Sequence, residues 1–308
     1  MGMLTAGLHR LRRQGPNPVL VKELRSRFRG GGAFWTVSAY LAVLTLMVWQ
    51  WYRWWSRSAG PGMVAGGQDP ANFGRQLFQA VTWLELSGIL VIAPALTFNA
   101  ISGERERQTL DLLLATPQSP RAILRGKFMA AMAYVLLLVV STLPVLSMVF
   151  FFGGVSWQQV LRSQLAVMVA GSTLASLGLL ASVVARQTVR AAILAYMGAG
   201  LLTLVPVLVI VFGALVDSEG RLLLAGSLWS ALFAVSPLMM MSVIGRAGAF
   251  YPSLLAQLCL AGALQGLAGW RLSGRPRGPG RLRLPLLWLA LALAWLIWIV
   301  RYHPNGIL

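Results

Sequence analysis

One cysteine, two histidines, two lysines and eight acidic residues are all that 308 positions contain of those types. Cys259 alone allows no intrachain disulfide and no cysteine-built metal cluster. His9 and His303 stand near opposite termini, no H-E-x-x-H run occurs, and no central histidine is available to a serine triad. Lys127 follows Gly126, but Arg121 holds the place of the first P-loop glycine and Phe128 follows the lysine. The chain therefore has no P-loop for a nucleotide. Charge is scarce as well: 11% of residues are charged, against about 25% in a soluble domain.

What the chain does have is apolar surface and arginine. Hydrophobic residues make up 57% of it, and the mean hydropathy is +0.70. Lipid is the solvent for much of such a chain. Arginine supplies most of the positive side of a net charge of +18. In a soluble protein that excess would point to nucleic acid. Here the arginines stand in short clusters beside long apolar runs, as in cytoplasmic membrane loops, and nucleic acid is not an expected partner.

A helix needs roughly 20 apolar residues to cross a hydrocarbon core about 30 Å thick. Spans are expected at about 33–52, 78–100, 128–152, 163–185, 191–216 and 249–270, with a shorter seventh at 285–300. The run 222–245 is ambiguous, because Ser236 and Pro237 lead into Met239, Met240 and Met241 among many small residues. The fold class is an all-α polytopic membrane protein. Seven basic residues precede the first span, so the N-terminus does not read as a cleavable signal.

Asn17 is a good helix cap and Pro18 a good first helical residue. Over residues 17–29, Leu20, Val21, Leu24 and Phe28 share one arc, while Lys22, Glu23, Arg25, Ser26, Arg27 and Arg29 fill the rest. This predicts an amphipathic helix lying on the cytoplasmic leaflet, with a plain basic anchor as the alternative. With the N-terminus inside and 222–245 entering and leaving on the outer side, 19 of the 26 basic residues lie inside. A full crossing leaves 16 inside, so the positive-inside rule selects the re-entrant path.

Gly171, Ala175, Gly178 and Ser182 line one face of the fourth span, and Gly262, Gly266 and Gly269 do so in the sixth. Such small-residue seams mark close helix packing, within the chain in the simpler reading and against a second subunit in the alternative. Glu85 stands about eight residues into the expected second span. It either lines a pathway or stays hydrated near the outer interface beside Trp83, the second being the simpler reading. Gln257 and Gln265 fall on nearly one face of the sixth span and suit hydrogen bonds between helices, with substrate contact as the alternative.

Residues 101–127 read ISGERERQTLDLLLATPQSPRAILRGK. Ser102 or Gly103 can cap a helix whose first turn holds Glu104 and Glu106, as the helix dipole favours. Leu110, Leu113 and Leu114 form an apolar face beyond them. Thr116, preceding Pro117, stops the helix, and Ser119 before Pro120 starts the next, which carries Arg121, Arg125 and Lys127 into the third span. The product is one short amphipathic helix between two spans. It is too small to be a domain, and suits either a groove on a partner or solvent alone.

The core G-E-R-E-x-x-T-L-x-L-L-L-A-T-P and downstream G-K of this stretch resemble the second cytoplasmic region of ATP-binding-cassette type-2 (export-type) permeases. N-P-V-L-V-K-E-L-R-S-R-F-R-G, from Asn17 to Gly30, resembles the elbow helix that opens many of them. The span pattern extends the resemblance over roughly 17–270. It implies that the helix after the second span is the coupling helix that docks on a separate ATPase subunit. Glu104, Glu106, Thr109, Leu110, Leu113 and Leu114 take that role, and Leu20, Val21, Lys22, Glu23, Leu24 and Phe28 belong to the elbow. It also implies a re-entrant outer hairpin at 222–245.

The expected organisation is then a cytoplasmic N-terminus with the elbow at 1–32, a six-span permease core at 33–270, a basic cytoplasmic loop at 271–284, and an extra span with a tail at 285–308. The resemblance implies no cofactor on this chain, with ATP and Mg bound by the ATPase partner. It further implies a second permease subunit, identical or different, in the cytoplasmic (inner) membrane. The expected function is the membrane subunit of an ATP-driven exporter. Two alternatives stand beside it. One is an intramembrane peptidase or lipid-modifying enzyme, for which Glu85 is the only acid well inside a span. The other is a membrane anchor that uses ATPase motion without transport.

Overall fold

The computed structural model describes residues 18–29, 31–58, 70–216, 236–242, 244–245 and 247–273. Among the described residues the elements are α1 (Pro18–Arg29), α2 (Gly31–Ser58), α3 (Pro70–Ala95), α4 (Ser102–Glu106), α5 (Leu110–Leu114), α6 (Pro120–Phe152), α7 (Trp157–Val184), α8 (Thr188–Val216), α9 (Pro237–Ser242) and α10 (Ala247–Leu272). No strand occurs among them. Six helices among the described residues are long and apolar enough to cross a bilayer, over Phe34–Trp54, Pro70–Ala95, Pro120–Phe152, Trp157–Val184, Thr188–Leu208 and Phe250–Leu272. The expected seventh span and most of 222–245 and 271–284 lie outside the described residues.

The spans α3 and α6 begin well before the points where hydropathy places them. α3 starts at Pro70 rather than near 78, because Asn72, Arg75, Gln76 and Gln79 depress the hydropathy of turns that are nonetheless helical. Those polar side chains are exposed, while Phe73, Leu77 and Phe78 on the other side are buried. α6 starts at Pro120, and the Ser119 hydroxyl accepts from the Ala122 N–H at 3.2 Å, as the Ser-Pro pair predicts. Its 33 residues make about 50 Å of helix, more than the hydrocarbon core requires.

α7 is the centre of the bundle, packed on α3, α6, α8 and α10. Its small-residue seam explains how. A Cβ added at Gly171 would lie 3.0 Å from Val135 Cγ1, and one at Gly178 3.0 Å from the Pro94 carbonyl oxygen. The seam thus serves contacts within the chain, where α3 and α6 come close. In α10, Gly269 rests on the side chain of Arg121 at 3.3 Å, while Gly262 and Gly266 are half-buried. α6 turns into α7 through Gly153 and Gly154, both at positive φ. A Cβ at Gly154 would collide with the Ala71 carbonyl oxygen, so only glycine fits this turn over the start of α3.

The sides on which α8 ends and α10 begins follow from three contacts. Arg162, near the start of α7, donates to the Ile244 carbonyl at 3.3 Å. α10 begins just beyond Ile244 and ends with Gly269 against Arg121, at the start of α6. α8 begins at that same Arg121 end, because Thr188 is bonded to Glu106. The chain between α8 and α10 therefore leaves and returns on the Arg162 side. Of that stretch, α9 is described: its Pro237, Met240 and Met241 are buried, and it packs on α7 and α8.

Candidate functional site

At the Arg121 end, α1 lies against α6 and α2. Val21 and Phe28 are exposed, and the Phe28 ring sits 6.2 Å from that of Tyr134. Leu20, Glu23, Leu24 and Arg27 are the half-buried side. Glu23 and Arg27 thus do not belong to a solvated polar arc, as the sequence pattern suggested. They turn toward the protein because partners await them there. Arg27 donates to the Leu96 carbonyl at 2.7 Å, and burial lowers its pKa despite the nearby Glu23 carboxylate.

Lys127 is the reason Glu23 faces inward. Only 5% exposed, it places Nζ 2.8 Å from Glu23 Oε1 and 3.1 Å from Glu104 Oε1. One cation therefore joins α1, α4 and α6. Its burial is tolerable because two carboxylates share it. Glu104 also accepts the Thr109 hydroxyl on its second oxygen. Partial burial pushes the Glu104 pKa up, but the Thr109 bond and the Lys127 charge outweigh it and hold the carboxyl below its usual range.

The loop after α3 is two short helices, not the single one expected. Gln108 takes φ 58°, and the Thr109 N–H returns to the Glu104 carbonyl at 2.9 Å, which breaks the run between α4 and α5. Neither Ser102 nor Gly103 caps α4. Its N-cap is Ile101, without a side-chain bond, and Ser102 donates back to the Phe98 carbonyl at 2.9 Å.

α4 is pinned to the turn between α7 and α8 by three side chains. The Ser182 hydroxyl accepts from the Ile101 and Ser102 N–H groups at 2.7 and 3.0 Å. Arg105 donates to the Ala185 and Val183 carbonyls, satisfying orphan acceptors at the end of α7. Glu106 accepts from the Thr188 N–H and hydroxyl, satisfying donors at the start of α8. The backbone bond and then the hydroxyl bond lower the Glu106 pKa. Glu104 and Glu106, expected to meet a partner, are occupied within the subunit.

α5 then carries the outward surface. Leu110 packs against the buried core and Leu113 is half-buried. Leu114 is exposed, and Leu112, which the sequence pattern passed over, is 72% exposed. Of the expected face of Leu110, Leu113 and Leu114, only Leu114 points away.

Within the bundle, Glu85 is buried rather than open to water beside Trp83, which is exposed. Glu85 is 0% exposed, and its two oxygens accept from the Thr142 hydroxyl and the Gln164 amide, each at 2.9 Å. The longer α3 places it mid-helix, where a carboxyl in hydrocarbon requires such partners. It joins α3 to α6 and α7. Gln265 donates to Ser176 across α10 and α7 at 3.0 Å, the interhelical bond expected of it. Gln257 is fully buried, and its side chain has no bond to another described residue; its backbone carbonyl accepts from Thr173 at 3.2 Å. Among the described residues no three His, Cys, Asp or Glu side chains gather as metal ligands.

Sequence reasoning missed Arg105, Thr188, Thr142 and Gln164. The last two had a signal: each is an isolated polar residue in an apolar run, which needs a partner such as Glu85. Ser182 was legible only as a small residue. Residues 19–241 match a family model described as ABC-2 family transporter protein, and no curated protein matches the chain closely enough to be counted.

Proposed function

The chain belongs to the ABC-2 transporter family as a multi-pass permease subunit, and from that premise we propose that an ABC ATPase associates with it and drives it through α5. The observation that supports this reading is the division of labour in the loop. α4 is bonded to α6, α7 and α8, while α5 presents Leu112 and Leu114 to the outside at the same end. Exposed leucines on a short helix suit a groove on a partner. Displacing α5 would act on α4 through Thr109, and through α4 on the turn between α7 and α8.

In this reading ATP and Mg stay on the ATPase, and the spans exchange between discrete packings in an export cycle. Two permease subunits, identical or different, form the pore. The end bearing α1 and α5 faces the cytoplasm across the inner membrane. Twelve of the sixteen described basic residues lie at that end, which supports the orientation through the positive-inside rule.

The experiment is co-purification of the ATPase with the full chain. Leu112→Ala and Leu114→Ala should each release the ATPase and abolish coupled hydrolysis while membrane levels of the permease stay normal. Truncating an interface anchor costs about 2 kcal/mol or more, enough to lose a complex on a column. Full retention of the ATPase by the Leu112→Ala, Leu114→Ala double variant would defeat the assignment.

A further inference from the structure

A cleft of about 450 Å³ opens between α1, the residues after α3, and α6. By volume it has room for about 15 waters. Its wall carries four cations, Lys22, Arg27, Arg107 and Lys127, against two carboxylates, Glu23 and Glu104. These charges are not equally engaged. Lys127 is held by both carboxylates, and Arg27 is held by the Leu96 carbonyl with Glu23 beside it. Lys22 and Arg107 remain exposed, and neither side chain forms a hydrogen bond or an ion pair within 4 Å with another described residue, although the Lys22 charge does help to lower the Glu104 pKa. Ser26 and Asn99 add a hydroxyl and an amide to the same wall. Ala95, Leu96 and Ala100 supply apolar surface beside them.

We propose that this cleft binds the phosphate of one anionic phospholipid, with Lys22 and Arg107 on the phosphate and Ser26 and Asn99 on the polar headgroup. The lipid source follows from α1. Its exposed Val21 and Phe28 are the apolar side of an interfacial helix, so acyl chains can lie along α1 while the headgroup turns into the cleft. Basic pockets between helices at the cytoplasmic side are suited to such headgroups. The inference rests on the orientation proposed above only for the name of the leaflet. The binding itself needs neither that orientation nor an ATPase.

The test is native mass spectrometry of the full-length chain in detergent, titrated with phosphatidylglycerol, phosphatidylcholine or inorganic phosphate. One phosphatidylglycerol should be retained per chain, bound at least tenfold more tightly than phosphatidylcholine or inorganic phosphate. The Lys22→Gln, Arg107→Gln double variant should lose roughly tenfold or more of that affinity, since each basic group near an anionic surface is worth about a fivefold factor. Ser26→Glu, which puts a negative charge into the cleft, should lose at least as much. The Arg25→Gln, Arg29→Gln double variant removes the same charge from exposed positions of α1 that do not line the cleft. It should keep the preference. An equal loss in both double variants would show diffuse attraction and overturn the site. Inorganic phosphate binding as tightly as phosphatidylglycerol would overturn the lipid assignment.

Discussion

The Glu106 carboxylate accepts both polar hydrogens that Thr188 offers, its backbone N–H at 2.6 Å and its hydroxyl at 2.7 Å. A carboxylate from one loop thus does for α8 what a local cap would do. The acid sits at the positive end of the α8 dipole. Both bonds favour the charged form, which is why the pKa falls.

A pH dependence follows. A group whose folded pKa is depressed adds stability above its unfolded value, about 4.3 for glutamate, and loses it as pH falls through the folded value. Once the intrinsic pH dependence of exchange is divided out, amide protection at the start of α8 should therefore be flat through neutral pH and fall below about pH 4. Glu104, also depressed, contributes in the same direction. Glu106→Gln should raise exchange there at neutral pH and flatten the acid response. Exchange mass spectrometry on the full chain reads both.

Lys127 gives a second expectation. Lys127→Met leaves Glu23 and Glu104 facing each other with no cation between them. Losing one member of a buried pair costs about 3–5 kcal/mol, and the partial exposure of both carboxylates reduces that toward about 2. Adding Glu23→Gln and Glu104→Gln to Lys127→Met should recover part of the loss. Thermal melts in detergent, compared across the single and triple variants, check the coupling.

Glu85 gives a third. Glu85→Ala leaves the Gln164 amide donor unpaired inside the bundle, at a cost of about 1–3 kcal/mol. Glu85→Gln can still accept from Gln164 and donate to Thr142, so it should melt within about 1 kcal/mol of wild type. Equal destabilisation by both substitutions would contradict the bonding described for this residue.

The two faces of α5 separate by a fourth measurement. Leu110→Ala should lower the melting temperature of the isolated permease, with a cost of about 1–2 kcal/mol for a half-buried leucine. Leu112→Ala should leave that melt unchanged, because the side chain touches little of its own subunit.

Orientation is open to direct labelling. In a Cys259→Ala background, Thr116→Cys should resist an impermeant thiol reagent applied outside intact cells. Ser156→Cys, exposed in the turn before α7, should react. The opposite pattern would invert the assignment of sides.

Much of this architecture was legible because lipid makes long apolar runs obligatory, and because Pro18, Ser119 and Pro120 mark helix starts by chemistry that tertiary contacts did not override. The start of α3 was not legible, since its amphipathic first turns answer to packing on one side and to water on the other. The break at Gln108 was hidden for a different reason. Residues 102–114 have the local signals of one helix, and the long-range bonds of Glu104, Arg105 and Glu106 decide otherwise. The same bonds changed the site. A periodic leucine pattern names an apolar face without saying which side is already covered, so Leu110 was assigned outward and Leu112 was missed.

The central place of α7 bears on biogenesis. α7 is the fourth span to be made, and α3 and α6 are present to receive it when it enters the bilayer. Its side toward α10, with Thr173 and Ser176, stays against lipid until the sixth span arrives. The family match stops at residue 241, before α10 begins at Ala247. A chain cut at the family boundary should be drawn into quality-control proteolysis with its first five spans inserted, for want of a helix that lies outside the matched region.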